Sequence, residues 1–305
     1  MAATEGTLTF FERGSWPAHE RPYELLFLPP DSSFPVSNYR VIQVPDVPIY
    51  DLRPLKDTLS LDREGFLMAN INTRMEYEDY FDREKLKTIY IPEIKIFLKR
   101  KLGVKAIYVH ECVIRQSDGK GRHSGSFGQP IPNVHTDYTH DYALELLEQL
   151  TGDKSQAEAI KGSRIQMLNI WKPLRGPLRN WPLALCDLRS LSRDDVVTFD
   201  EVHAGAVLES QQVIYNSSQK WYYLPNQDPD EIIVFKSMDS VVRGEGWLMG
   251  HFMTQNALMA NPPGKALNSE YLLSTNRNNE DGKNCVLFEE EETIRIRNPS
   301  NIQAV

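Results

Sequence analysis

The residues of this sequence best placed to do chemistry lie at Val134-His135-Thr136-Asp137-Tyr138, where an imidazole and a carboxylate stand two positions apart in a run of β-favouring residues. On a strand, positions two apart share a face, so His135 and Asp137 would offer a nitrogen and an oxygen donor to one space. Two histidines and a carboxylate on one face of an Fe(II) ion leave the opposite positions open for O2 and substrate. A histidine and an aspartate at this spacing are also a common structural pair, so the motif needs a third ligand before it predicts a metal. The seven histidines are His19, His110, His123, His135, His140, His203 and His251. His19, His123 and His203 fall in polar or irregular stretches and read as surface residues. His110 ends an apolar run and reads equally well as a core histidine. His140 sits where the His-x-Asp strand breaks towards a helix. His251 lies within a late strand candidate, Trp247 to Met253, and is the best placed of the set, with His140, His110 and His203 behind it.

Several elements must position such a pair. Residues 1 to about 60 carry Pro17, Pro22, Pro29, Pro30, Pro35, Pro45, Pro48 and Pro54 among short apolar pieces, which predicts an irregular segment wrapped on a domain. Its aromatic and aliphatic content argues against a solvated tail. Leu86, Ile89, Ile94, Phe97 and Leu98 approach helical spacing between Asp82 and Gly103, with a kink or a start near Pro92. Strands are predicted at Ala106 to Val109 and Cys112 to Arg115, followed by a glycine-rich loop from Ser117 to Gln129. A helix is predicted from Asp141 to Leu150. Further strands are predicted at 164–171, 183–187, 212–215, 221–224, 231–236, 247–253, 271–275 and 293–297, with 212–215 and 221–224 forming a hairpin. Many short strands with little helix among them predict a mainly β fold with flanking helices, a sandwich or barrel of jelly-roll type.

Composition narrows the partners. The chain has 305 residues, 41% hydrophobic and 25% charged, with a net charge of −8, which suits a soluble globular protein and a small-molecule ligand and argues against nucleic acid. No apolar run approaches the roughly 18 residues of a membrane span, and the first residues lack a basic segment followed by an apolar one. These features predict a cytoplasmic protein without membrane association. Cys112, Cys186 and Cys285 are isolated and odd in number, which predicts buried free thiols.

The order of several segments carries a resemblance. Leu61-Asp62-Arg63-Glu64-Gly65-Phe66, Tyr90-Ile91-Pro92-Glu93, Val134-His135-Thr136-Asp137-Tyr138, Asn169-Ile170-Trp171-Lys172-Pro173-Leu174, Pro182-Leu183-Ala184-Leu185-Cys186-Asp187 with Arg189-Ser190, Trp221-Tyr222-Tyr223 and Asp230-Glu231-Ile232-Ile233-Val234-Phe235-Lys236 occur in this order. From about Leu61 to about Thr275 the chain resembles a group of Fe(II)/2-oxoglutarate-dependent oxygenases. That group includes cephem 7α-methoxylase-like proteins, gibberellin desaturase-like proteins and fungal meroterpenoid oxygenases. The resemblance implies one oxygenase domain over 1–305, with 1–60 as the wrapping segment and 105–297 as a double-stranded β-helix, the cupin-like jelly roll. It implies iron held by His135, Asp137 and His251, with 2-oxoglutarate and O2 as cosubstrates and no catalytic residue beyond the metal ligands.

Ser269 matches the family's cosubstrate-binding serine, whereas the arginine two positions before it is replaced by Leu267. Lys265 is the nearby positive charge; Arg164, Arg175, Arg189 and Arg277 are further candidates. Asn169 and Trp171, two apart, share a face and are assigned to the cofactor-binding cavity, with Lys172 facing the other way. The implied activity is C–H abstraction on a small, largely apolar natural-product intermediate, ending in hydroxylation, desaturation, cyclisation or endoperoxide formation. A 2-oxoglutarate-independent iron oxidase and a non-catalytic jelly-roll binding protein are the alternatives.

Overall fold

The computed structural model describes residues 3–116, 131–179 and 181–241, and the backbone of three later strands at 253–254, 265–275 and 295–296. Along the chain come β1 (Ala3–Phe11), β2 (Tyr23–Leu25), β3 (Val41–Asp51), β4 (Phe66–Asn70), a short turn α1 (Arg83–Lys85), α2 (Ile91–Leu102), β5 (Ala106–Gln116) and β6 (His135–Thr136). Then follow α3 (His140–Thr151), α4 (Lys154–Lys161), β7 (Arg164–Pro173), β8 (Ala184–Cys186), β9 (Val196–Val202) and β10 (Val207–Val213). The last strands are β11 (Trp221–Tyr223), β12 (Glu231–Asp239), β13 (Met253–Thr254), β14 (Lys265–Thr275) and β15 (Arg295–Ile296). They form a nine-stranded sheet, β1-β3-β11-β8-β13-β6-β10-β9-β2, and a six-stranded sheet, β15-β5-β14-β7-β12-β4. This is the double-stranded β-helix expected from the sequence.

Burial on both faces explains the composition of the six-stranded sheet. All nine residues of β12 are buried. Ile232 and Val234 pack with Ile91, Ile94 and Leu98 of α2, while Ile233 and Phe235 pack with Leu185 of β8 and Tyr222 of β11. A strand covered on both sides is apolar throughout rather than alternating. α2 exists for the same reason: its three buried positions recur at helical spacing. Pro92 falls in its first turn, where a missing N–H costs nothing, and a single π-helical turn at Leu86–Tyr90 leads into it. Gly103 ends it in the left-handed conformation at φ 64°.

Two expectations are corrected. Residues 1–60 are not a purely irregular wrapping: β1, β2 and β3 are strands of the larger sheet. Leu8, Phe10, Val47 and Ile49 enter a core with Ala184, Cys186, Val213 and Trp221. Bridges from Thr9 to Asn133 and from Phe11 to Ile214 curl that sheet around this core. The prolines of β3 are tolerated because Pro45 lies at the register shift against β1 and Pro48 lies just before the pairing with β11 begins. Second, 212–215 and 221–224 do not form a hairpin. β10 pairs with β9 and β6, whereas β11 pairs with β3 and β8. Val196–Val202 is a further strand, beside the outermost strand β2 at a largely half-exposed end of the sheet.

Candidate metal and cosubstrate site

β6 is short, and both its neighbours set the position of His135. Gln212 of β10 stands opposite it on one side and Met253 of β13 on the other. The His135 side chain is buried, and its Nδ1 lies 2.7 Å from the carbonyl oxygen of Asn133. A carbonyl only accepts, so Nδ1 carries a proton and Nε2 is the ring nitrogen turned towards Asp137. That Nε2 has no hydrogen-bond partner among the described residues and lies 3.5 Å from Asp137 Oδ1.

Asp137 uses its two oxygens differently. Oδ2 accepts from Asn169 Nδ2 at 2.6 Å and from Ser237 Oγ at 3.3 Å, leaving Oδ1 towards the imidazole. A lone pair facing a carboxylate oxygen is repulsive unless positive charge lies between them, as a proton on Nε2 or as a metal ion. Burial pushes the Asp137 carboxyl up, but the adjacent His135, the charge of Arg115 and the Asn169 amide together bring it below its ordinary value. The pair thus presents a carboxylate oxygen and an imidazole nitrogen, each oriented from behind by a further hydrogen bond, as metal ligands are.

Among the described residues no group of three or more His, Cys, Asp or Glu side chains converges. His251 lies outside the described residues; Met253, two positions later, is the register partner of both His135 and Leu185. His123 also lies outside the described residues, and three further histidines stand apart from the pair. His140 starts α3 and pairs with Asp141 at 3.0 Å, His203 sits at the turn between β9 and β10, and His110 packs edge-on against Tyr138.

β7 brings two of the sequence-assigned residues to the interior. Asn169 contacts Asp137, and Trp171 joins the core between the sheets, its Nε1 without a partner among the described residues. Lys172 faces the other way, but it is buried rather than at the surface. Its Nζ donates to Tyr80 Oη at 2.7 Å and lies 5.0 Å from the centre of that ring. Burial lowers its pKa to about 8, against the opposing charges of Asp230 and Glu93. On β14, Ser269 stands opposite Ile170 and Cys112, residues of the core under α2, and Lys265 stands opposite Gln116. Asn268 and Glu270 are the partners of Trp171 and Asn169.

The arginines also sort themselves. Arg164 is paired with Asp62 and Asp239, Arg189 with Asp187 and Glu64, and Arg175 lies over the Tyr77 ring; Arg277 lies outside the described residues. Arg115, opposite Ala266 and through it Pro173, shares the face of Trp171 and Asn169, and its charge reaches Asp137. Sequence reasoning missed Arg115 and Ser237. The available signal for Ser237 was a small polar residue inside the apolar run Ile232 to Met238.

Known proteins bear on this geometry. Residues 8–265 match the family described as the oxidoreductase/YMDC permease-like domain. The Fe(II)/2-oxoglutarate-dependent dioxygenase nvfI of Aspergillus novofumigatus is 28% identical over 237 residues, 72% of this chain and 84% of that protein. The alpha-ketoglutarate-dependent dioxygenase tstK of Talaromyces stipitatus is 30% identical over 215 residues, 68% of this chain and 76% of that protein. The solved structure of the iron and alpha-ketoglutarate-dependent endoperoxidase NvfI superposes with a TM-score of 0.77 at 24% identity, covering 90% of this chain and 99% of that one.

Proposed function

We infer that this chain, which belongs to the oxidoreductase/YMDC permease-like domain family and to the Fe(II)/2-oxoglutarate-dependent dioxygenases, is an oxidoreductase that uses Fe(II), 2-oxoglutarate and O2 and holds its iron through His135, Asp137 and His251. The observation that carries the site is the buried meeting of an imidazole Nε2 and a carboxylate oxygen 3.5 Å apart, with the far side of each group already hydrogen-bonded. A soft-to-borderline nitrogen and a hard oxygen suit Fe(II). His251 is taken as the third ligand from the family resemblance, and Met253, two positions later in the sequence, pairs with His135.

When bound, the iron supplies the oxidising chemistry, fed by O2 and by decarboxylation of 2-oxoglutarate. The chain's own part is positional. Asn169 and Ser237 hold Asp137 ionised, Asn133 fixes the tautomer of His135, and Trp171 with the apolar residues around it keeps water out of the space between the sheets. A dianionic cosubstrate needs a cation, and we assign that role to Arg115. It shares the face of Asn169 and Trp171, whereas Ser269 falls in the row of Ile170, and a guanidinium matches a carboxylate better than an ammonium. We take the organic substrate to be a small natural-product intermediate that undergoes C–H abstraction. The net charge of −8 offers no counter-charge to nucleic acid, and among the described residues no helix is long and apolar enough to cross a membrane. The buried thiols of Cys112 and Cys186 suit the reducing cytoplasm.

The test is succinate formation by the purified protein with Fe(II), O2 and 2-oxoglutarate. Turnover is expected to require all three, and Arg115→Met to raise KM for 2-oxoglutarate at least tenfold with less effect on kcat. Succinate formation independent of iron would sink the reading. An unchanged KM would remove Arg115 from it.

A further inference from the structure

The strand beside the His-x-Asp motif carries two buried polar side chains that the proposed chemistry leaves unused. Gln212 is the direct register partner of His135, and paired residues on an antiparallel ladder share a face with their Cβ atoms roughly 5 Å apart. Ser210 lies two positions along β10, on that face, towards the side of Asp137. Gln212 is 5% exposed and Ser210 2%. Gln212 Oε1 and Ser210 Oγ both lack a hydrogen-bond partner among the described residues. A buried amide oxygen left without a donor is costly, and such a cost is tolerated where a ligand removes it.

We propose that Gln212, assisted by Ser210, recognises a hydroxyl group on the organic substrate and so sets which carbon lies beside the iron. The chemistry of the unpaired atom selects this ligand. Oε1 is an acceptor and needs a donor. The 2-oxoglutarate dianion carries only acceptors, so it leaves Oε1 unsatisfied; an alcohol donates to Oε1 and can accept from the serine hydroxyl. The substrate class is thereby narrowed from a largely apolar skeleton to an apolar skeleton bearing an alcohol. This rests on the dioxygenase reading above, which succinate formation without any organic substrate tests separately.

The experiment compares alcohols with ketones of the same skeleton, borneol against camphor and testosterone against androstenedione, because a ketone accepts but cannot donate. Dissociation constants are read from tryptophan fluorescence of the iron-free protein. In the wild type at least one alcohol is expected to bind about tenfold more tightly than its ketone, and Gln212→Leu is expected to remove that preference. Without ligand, Gln212→Leu and Ser210→Ala are expected to melt at or above the wild-type temperature, because each removes an unpaired buried group. Equal binding within both pairs, an alcohol preference that survives Gln212→Leu, or no binding by any of the four overturns the proposal. So does a variant melting about 2 °C or more below wild type, the size expected for a chain of this length on losing a made structural hydrogen bond.

Discussion

Asp137 has one oxygen held by the protein and one turned to the imidazole, and the shortest bond behind this asymmetry comes from an amide. Asn169 donates to Oδ2 at 2.6 Å and also bonds Ser237 Oγ at 2.8 Å, so it locks both groups. Replacing Asn169 with Ala should leave the fold in place and weaken Fe(II) binding by roughly 10- to 100-fold, the usual cost of losing a partner behind a metal ligand; anaerobic titration of the variant checks it. Affinity within twofold of wild type would show that the amide does not orient the carboxylate. Much of this was legible residue by residue. His135 and Asp137 follow from two-residue alternation and Asn169 from a quoted motif. Arg115 was not legible and Ser237 left only a small polar residue in an apolar run, because each joins the site through strand pairing across a long sequence separation and neither stands in a motif.

At the scale of elements, a buried lysine lies at the join between α2 and the six-stranded sheet. Lys172 leaves β7 on the helix side, bonds Tyr80, and has Tyr90, Glu93 and Asp230 around it. Burial lowers its folded pKa to about 8, below the ordinary 10.5 of the unfolded chain. Between those values the unfolded chain binds more protons, so stability should rise with pH from about 8 to 10. Denaturant melts at pH 7, 8, 9 and 10 should show that rise in the wild type, by up to about 3 kcal/mol, and a flatter profile in Lys172→Met. Parallel profiles would contradict the assignment. The sequence showed α2 and its capping glycine because helical spacing and Pro92 are local signals. It predicted the wrong hairpin for the opposite reason: a five-residue polar connection suggests a turn, but β10 and β11 are claimed by different neighbours.

For the whole molecule, the first fifty residues matter more than their prolines suggest. β1 and β3 carry four residues of the core that lies behind β8 and β11, and β8 in turn neighbours the strand paired with His135. A chain starting at residue 52 should therefore be recovered unfolded or aggregated, as judged by circular dichroism and gel filtration. A folded, monomeric product with a cooperative melt would show that this segment is peripheral. The jelly roll itself was legible from the density of short strands and from the resemblance, whereas the curling of the larger sheet was not, since bridges such as Thr9 to Asn133 leave no local trace.

The central claim is that His135 and Asp137 are metal ligands rather than a structural pair, and iron stoichiometry tests it most directly. Wild-type protein reconstituted anaerobically and freed of excess metal should retain about one Fe(II) per chain, and His135→Ala, Asp137→Ala and His251→Ala should each retain almost none while keeping the wild-type circular dichroism spectrum. Folded His135→Ala and Asp137→Ala variants that still hold a full equivalent of iron would contradict it.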